Sequence, residues 1–356
     1  MPWSRADIER DWLGGERLTT QVDRTVEMFN LVEAALGRDW VARSRLPGQI
    51  GISSVLRVRV AGEILATLRR IPRHDRLLTR LRRRDARDAW AEARAIHLLV
   101  EAAPNVVIEL EPPVHLRGRE LKPDLRMSKP GDDWVYVEVA SPGDSLGARR
   151  LFRVMEHLTE GSATGSDSYA LEIFLRRDPT QAEVDTIVSQ VTQVTKLQGK
   201  NIEELPHGLG VLFLNFTQPG LVRLDDHPGE PDVPRLGRAQ VHIEGGVPTR
   251  HIQTRIAYVD QRLNRLLSKE ARQLAHGYRN LVMIEATSTS MWRTWPSHIA
   301  TRFSRGFHTR VGGVCLFQCG YMARDDGVLR WEMETGLTTN PHAINPLPGW
   351  MAEKLS

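Results

Sequence analysis

Asp124 and Glu138 stand fourteen residues apart in KPDLRMSKPGDDWVYVEVASP (122–142), on either side of a turn-rich run. The run Ser128-Lys129-Pro130-Gly131-Asp132-Asp133 lies between Leu121–Met127 and the β-branched and aromatic stretch Trp134–Val139, a pattern that predicts a β-hairpin. If the arms fold back about Gly131, residues equidistant from it face each other, and Asp124 lies opposite Glu138. Two carboxylates so placed repel unless a proton or cation lies between them, and Mg2+ or Mn2+ prefers oxygen ligands of this kind. With the backbone carbonyl of Val139 as a third ligand, the hairpin predicts a divalent-metal site.

The elements around the hairpin must carry these groups. Val135, Val137 and Val139 alternate with Tyr136, Glu138 and Ala140, so one strand face is apolar and the other bears the acid. Upstream, RDARDAWAEARAIHLLVEA reads as a helix whose apolar stripe is Ala89, Trp90, Ala93, Ile96, Leu99 and Val100. Glu92 lies at the margin of that stripe and is expected to point toward the sheet.

Together these residues resemble the restriction-endonuclease-like PD-(D/E)XK nucleases. Pro123-Asp124 stands where that family has Pro-Asp on one strand, and Glu138-Val139-Ala140 where it has Glu-x-Lys on the next. The resemblance implies metal-dependent phosphodiester hydrolysis, with Asp124 and Glu138 as ligands of Mg2+ or Mn2+ and Glu92 positioning a second metal or a water. It departs at Ala140, where the family has a lysine that activates water or stabilises charge on the phosphate. Lys122, two residues from Asp124 on the same strand face, or Arg149 or Arg150, would have to replace it. The alternative is a nuclease-like module that binds nucleic acid or assembles without cutting, or a subunit completed by a partner chain, as bacterial defence and mobile-element systems arrange.

The order of predicted elements supports an α/β fold with a mixed central sheet flanked by helices. Helix 88–102, strand VVIELEPPV, the two hairpin strands, helix LGARRLFRVMEHLTE and strand YALEIFLRR run α-β-β-β-α-β, which is the core order of that nuclease fold. Further on, RLNRLLSKEARQLAHGYRNLVMIEATS reads as a helix feeding a buried strand, with Lys269 and Gln273 on one helical face. GGVCLFQCGYM and TTNPHAINPLPG read as the last strand and its exit loop.

Phosphate contacts are expected from RRIPRHDRLLTRLRRRDAR (69–87), which holds nine arginines against two aspartates. Arg80, Arg82, Arg83 and Arg84, together with Lys269 and Gln273, form the expected nucleic-acid contacts, to DNA rather than RNA. Guanidinium groups suit phosphate through paired hydrogen bonds.

The 356 residues can bury a substantial core, and 41 % hydrophobic with 26 % charged residues is an ordinary globular balance, here with a net charge of +4. The expected organisation is an N-terminal helical region at 1–84, a nuclease domain at 85–345 with a loop-rich insertion at 217–250, and a tail at 346–356. In the insertion, Asp225-Asp226-His227 reads as a solvated polar group rather than a metal cluster. No apolar run reaches the roughly 18 residues that span a bilayer, and MPWSRADIERDW is not a signal segment, so a cytoplasmic protein with no membrane partner is expected. A homodimer or a partner subunit is compatible with this pattern. Cys315 and Cys319 read as core residues, because no second pair or histidine cluster completes a zinc site. The excess of arginine over six lysines points to a GC-rich bacterial genome. Phosphate-loop, dinucleotide and nucleophile-elbow motifs are absent.

Overall fold

The computed structural model describes all residues except 1, 16, 19–20, 45–51, 117–118, 144–168, 178, 195–199, 216–234, 242–249, 257–261, 288 and 324–328. Two compact units emerge. One comprises Met1–Ser141, Asn264–Glu285 and Pro296–Ser356, and the other Pro142–Leu263 and Ala286–Trp295.

The first unit opens with helices α1 (Arg5–Trp12), α2 (Val22–Leu36), α3 (Arg38–Ser44), α4 (Ile52–Leu68), α5 (Asp75–Leu81) and α6 (Arg87–Ala102). A capping box starts α1, in which Ser4 and Asp7 satisfy each other's backbone amides. On α2 and α4, Phe29, Val32, Val58 and Leu65 are fully buried. The two helices approach closely at Gly62, where an added Cβ would lie 2.6 Å from the Met28 Cβ. Gly62→Val is therefore expected to cost about 2 kcal/mol through overpacking. A urea midpoint unchanged from the parent would show that the helices do not approach as closely as this.

A six-stranded sheet follows, built from β1 (Val107–Leu110), a small β2–β3 hairpin off the sheet (Val114–Leu116, Arg119–Leu121), β4 (Leu125–Ser128) and β5 (Val135–Ala140), and completed much later in the chain. Gly131, at φ +90°, makes the β4–β5 turn, a conformation glycine adopts without steric penalty. Val135 and Val137 pack into the same core as Phe29, Leu65 and Leu99, so the apolar face of β5 meets the N-terminal helices.

The strand that follows β5 in the chain does not join it. The expected helix at 146–160 and Arg149 and Arg150 lie outside the described residues. Beyond them β6 (Tyr169–Leu175) forms as a strand but sits in the second unit's five-stranded sheet. That sheet has the order β7-β8-β6-β10-β9, with α7 (Gln181–Val194), β7 (Lys200–Glu204), β8 (Gly210–Asn215), β9 (Arg235–Val241) and β10 (Arg250–Ile256). In the segment expected to be loop-rich, β9 and the start of β10 are described as strand, while 217–234 (with Asp225, Asp226 and His227) and 242–249 lie outside the described residues.

The neighbour of β5 is instead β11 (Arg279–Glu285), which pairs with it in parallel after helix α8 (Arg262–Gln273). After α9 (Thr289–Ser304), β12 (Gly313–Ala323) adds in parallel to β11, and β13 (Leu329–Thr339) closes the edge antiparallel. The sheet order is β1-β4-β5-β11-β12-β13. The fold is mixed α/β with a mixed central sheet flanked by helices. Leu281, Met283, Cys315 and Phe317 extend the apolar face begun by β5. Cys315 is a buried thiol of this face, and neither cysteine is in a disulfide. The chain's last segment is a helix, α10 (Gly349–Leu355), whose Met351 and Leu355 enter the core. Among the described residues no helix is long and apolar enough to cross a membrane.

Candidate metal centre

Register brings Asp124 to Glu138. The pairs Leu125–Val137, Arg126–Tyr136 and Met127–Val135 define the β4–β5 ladder, and one step further Asp124 lies across from Glu138. The Val139 amide donates to Asp124 Oδ2 at 2.7 Å. Within an extended strand the N–H and C=O of one residue point the same way, so the Val139 carbonyl also faces this end of the hairpin.

Glu138 is only 2 % exposed. Its Oε1 is buried with no hydrogen-bond partner among the described residues. Its carboxyl hydrogen-bonds that of Asp124, and burial followed by the Asp124 charge pushes Glu138 up to about 10. Burial also raises Asp124, against the opposing pull of the Val139 amide. At neutral pH the pair shares a proton, with Glu138 as donor. An orphaned carboxylate oxygen beside a second carboxylate is an all-oxygen donor set, so these residues fit Mg2+ or Mn2+.

Glu92 reaches the same region from α6. It is buried, and the Arg80 guanidinium of α5 grips it with two hydrogen bonds, Nη1 to Oε2 at 2.9 Å and Nη2 to Oε1. Burial, then the Asp124 charge, pushes Glu92 up to about 7, while Arg80 pulls it back. Asp124, Glu92 and Arg80 line one cleft of about 360 Å³, together with Arg73, Arg76 and Glu111.

A fourth carboxylate comes from α8, and it is the residue that the sequence reasoning passes over. Glu270 is buried, its Oε1 accepting from Lys269 Nζ at 3.0 Å and its Oε2 from Gln273 Nε2 at 2.7 Å. Its charge is among those that raise both Asp124 and Glu138. A signal existed. Leu263, Leu267 and Ala271 are the buried stripe of α8, and Glu270 falls within that stripe at helical spacing.

The remaining expected residues are scattered. Lys122 is 64 % exposed and pairs with Glu120 at 3.2 Å. Arg82 donates to the Ala35 carbonyl at 2.8 Å and so braces α2. Arg83 and Arg84 are exposed. Lys269 is 69 % exposed despite its bond to Glu270, within the field of Glu138. Ala140, where the resembling family has lysine, is buried.

Among the described residues no three His, Cys, Asp or Glu side chains stand in a metal-ligating arrangement. Both oxygens of Glu92 are held by Arg80, and both of Glu270 by Lys269 and Gln273. Asp124 and Glu138 are left as the pair with capacity to spare. Searches against protein-family models, curated proteins and solved structures give no match to this chain. The site is therefore read from its own geometry.

Proposed function

We propose that this chain is a divalent-metal-dependent phosphodiester hydrolase acting on nucleic acid, DNA before RNA. The observation that carries the reading is the buried Asp124–Glu138 pair with an unpartnered oxygen, beside a cleft lined by three arginines. Within the first unit, with the β2–β3 hairpin set aside, the order α6, β1, β4, β5, α8, β11 supports it, because it follows the helix, three strands, helix, strand order of the restriction-endonuclease-like core.

Asp124, Glu138 and the Val139 carbonyl would hold Mg2+ or Mn2+. The chemistry such a cation would supply there is a lowered pKa for a water and compensation of charge on the scissile phosphate. Arg73, Arg76 and the exposed Arg83 and Arg84 would bind the phosphate backbone, with Lys269 adding a contact beside Glu138. Ala140 favours a second reading, a nucleic-acid-binding module or partner-dependent subunit that keeps the acids without cutting.

The test is incubation with plasmid, linear duplex, single-stranded DNA and RNA in EDTA, Mg2+ or Mn2+, beside Asp124→Asn. Cleavage should require metal and fall roughly 10³-fold in the variant, in line with the several kcal/mol a metal ion supplies. Cleavage indifferent to EDTA or to the substitution would refute the assignment. No cleavage of any substrate, with salt-sensitive binding retained, would favour the second reading.

A further inference from the structure

We propose that Arg80 is the catalytic cation of this site and takes the part left vacant at Ala140, and that Glu92 is its positioning residue rather than a metal ligand. The proposal rests on the hydrolase reading and deepens it.

A cation near the reacting phosphate must come from somewhere other than residue 140, which is a buried methyl group. Lys122 is turned to Glu120 in solvent, and Lys269 is mostly exposed and tied to Glu270. Among the described residues three arginines line the cleft, and of these Arg73 and Arg76 are exposed whereas Arg80 is half-buried and bonded to Glu92. The Arg80 side chain is only about one-third exposed, it lines the same cavity as Asp124, and the Asp124 charge acts on it.

Its partner explains its orientation. Bidentate pairing with Glu92 fixes the guanidinium plane, and Glu111 Oε1 flanks Nη1 at 3.7 Å. A guanidinium has five N–H donors, so donors remain for a phosphate oxygen after Glu92 has taken two. Glu92 is equally dependent on the pair, since a buried carboxylate without a cation would take up a proton.

A second observation points to the same cavity. Among the described residues five non-glycine positions have positive φ, and two of them, Arg73 at +62° and Glu111 at +46°, line this cleft. Backbone strain of this kind persists where the surroundings over-determine it, and it concentrates at ligand sites. The Glu111 amide also donates to the Asp124 carbonyl at 2.8 Å. One strained residue therefore contacts the main chain of the acid and the side chain of the cation.

In the step assigned to Arg80, a water oxygen forms a bond to phosphorus as the bond to the leaving oxygen breaks. The water's proton passes to a site carboxylate, and solvent protonates the leaving oxygen. Arg80 keeps its proton throughout and donates N–H groups to a non-bridging oxygen as charge builds there.

The experiment compares the parent protein with Arg80→Ala, Arg80→Lys and Glu92→Gln. It measures cleavage in Mg2+, Mn2+ affinity by calorimetry, and binding of a fluorescein-labelled single-stranded oligonucleotide in Ca2+. Arg80→Ala should cleave roughly 10²- to 10³-fold more slowly, the effect of removing a preorganised donor, with Mn2+ affinity changed less than about threefold because the hydrogen bonds of Arg80 go to Glu92, and with partial rescue by added guanidinium. Glu92→Gln should slow cleavage yet leave Mn2+ affinity near that of the parent. If the alanine variant does not fold, Arg80→Lys carries the test, expected at least about tenfold slower because an ammonium cannot hold carboxylate and phosphate in one plane. Parent-like cleavage in either Arg80 variant overturns the role of Arg80, and a tenfold loss of Mn2+ affinity in Glu92→Gln overturns that of Glu92. A parent protein that cuts nothing removes the hydrolase reading. Arg80 is then judged by oligonucleotide affinity, and equal binding by Arg80→Ala and the parent ends the proposal.

Discussion

Glu138→Gln is expected to stabilise the metal-free protein above pH 7 while weakening its hold on Mg2+. Glu138 is raised to about 10 by burial and by Asp124, whereas in the unfolded chain it titrates near the ordinary glutamate value. The folded state therefore binds the extra proton throughout that window. Stability from this group is fully present below the unfolded pKa and is lost as pH rises toward 10. Glutamine is neutral in both states and carries no such dependence. Between pH 8 and 9 the metal-free variant should melt at least about 3 °C above the parent, the shift that roughly 2 kcal/mol produces in a chain of this size. Near pH 4.5 the gap should close.

Mg2+ should reverse the order. On the proposed reading it would stabilise the parent by binding the folded state alone, and its binding would release the proton that Glu138 donates to Asp124. The variant has lost a ligand, so its affinity should drop at least about tenfold, as even outer-shell partners of a metal are worth that much. Thermal melts across pH 4.5 to 9, with and without Mg2+, measure both effects. A melting difference that does not vary with pH would show that Glu138 is not the titrating group.

How much of this was legible depended on distance along the chain. The hairpin register follows from one turn and one alternating strand, both local, and Asp124 faces Glu138 as that pattern predicts. Helix α6 and the burial of Glu92 follow from helical periodicity. What replaced local expectation was pairing at long range. Tyr169–Leu175 is a strand by composition, yet nothing in its residues says that it pairs with β8 and β10 rather than with β5. The true neighbour, β11, returns only after the second unit, and α8 brings Glu270 with it. Arg80 is expected as a phosphate contact, but its pairing with Glu92 was not legible, for a different reason. It is one arginine in a run of nine, and only packing distinguishes the guanidinium held by Glu92 from the exposed Arg83 and Arg84.

Arg94→Ala is expected to cost about 3–5 kcal/mol, the range for removing one partner of a buried ion pair. On α6, Arg94 Nε lies 2.6 Å from Glu285 Oε1 and its Nη2 donates to Oε2 at 2.9 Å, bridging 191 positions of sequence. Ser141 Oγ adds a second hydrogen bond to Glu285 Oε2 at 3.0 Å, so the network clamps α6 to the ends of β5 and β11. Glu285 is buried, and without Arg94 it must either ionise unpaired or take up a proton. Replacing both partners, Arg94→Met with Glu285→Leu, should recover most of the loss, because the cost lies in the stranded charge. Urea unfolding of the single and double variants checks this, and a single-variant loss under 1 kcal/mol would mean that the pair behaves as a surface bridge. Glu138 and Glu285 are thus buried acids on adjacent strands with opposite consequences. Glu285 has its cation built in, so disturbing the pair loosens the sheet, whereas Glu138 lacks one, so its neutral replacement tightens the metal-free fold. On the proposed reading, a carboxylate buried at a stability cost in the metal-free protein, beside a second acid and an arginine-lined cleft, would have its compensation in the cation it binds.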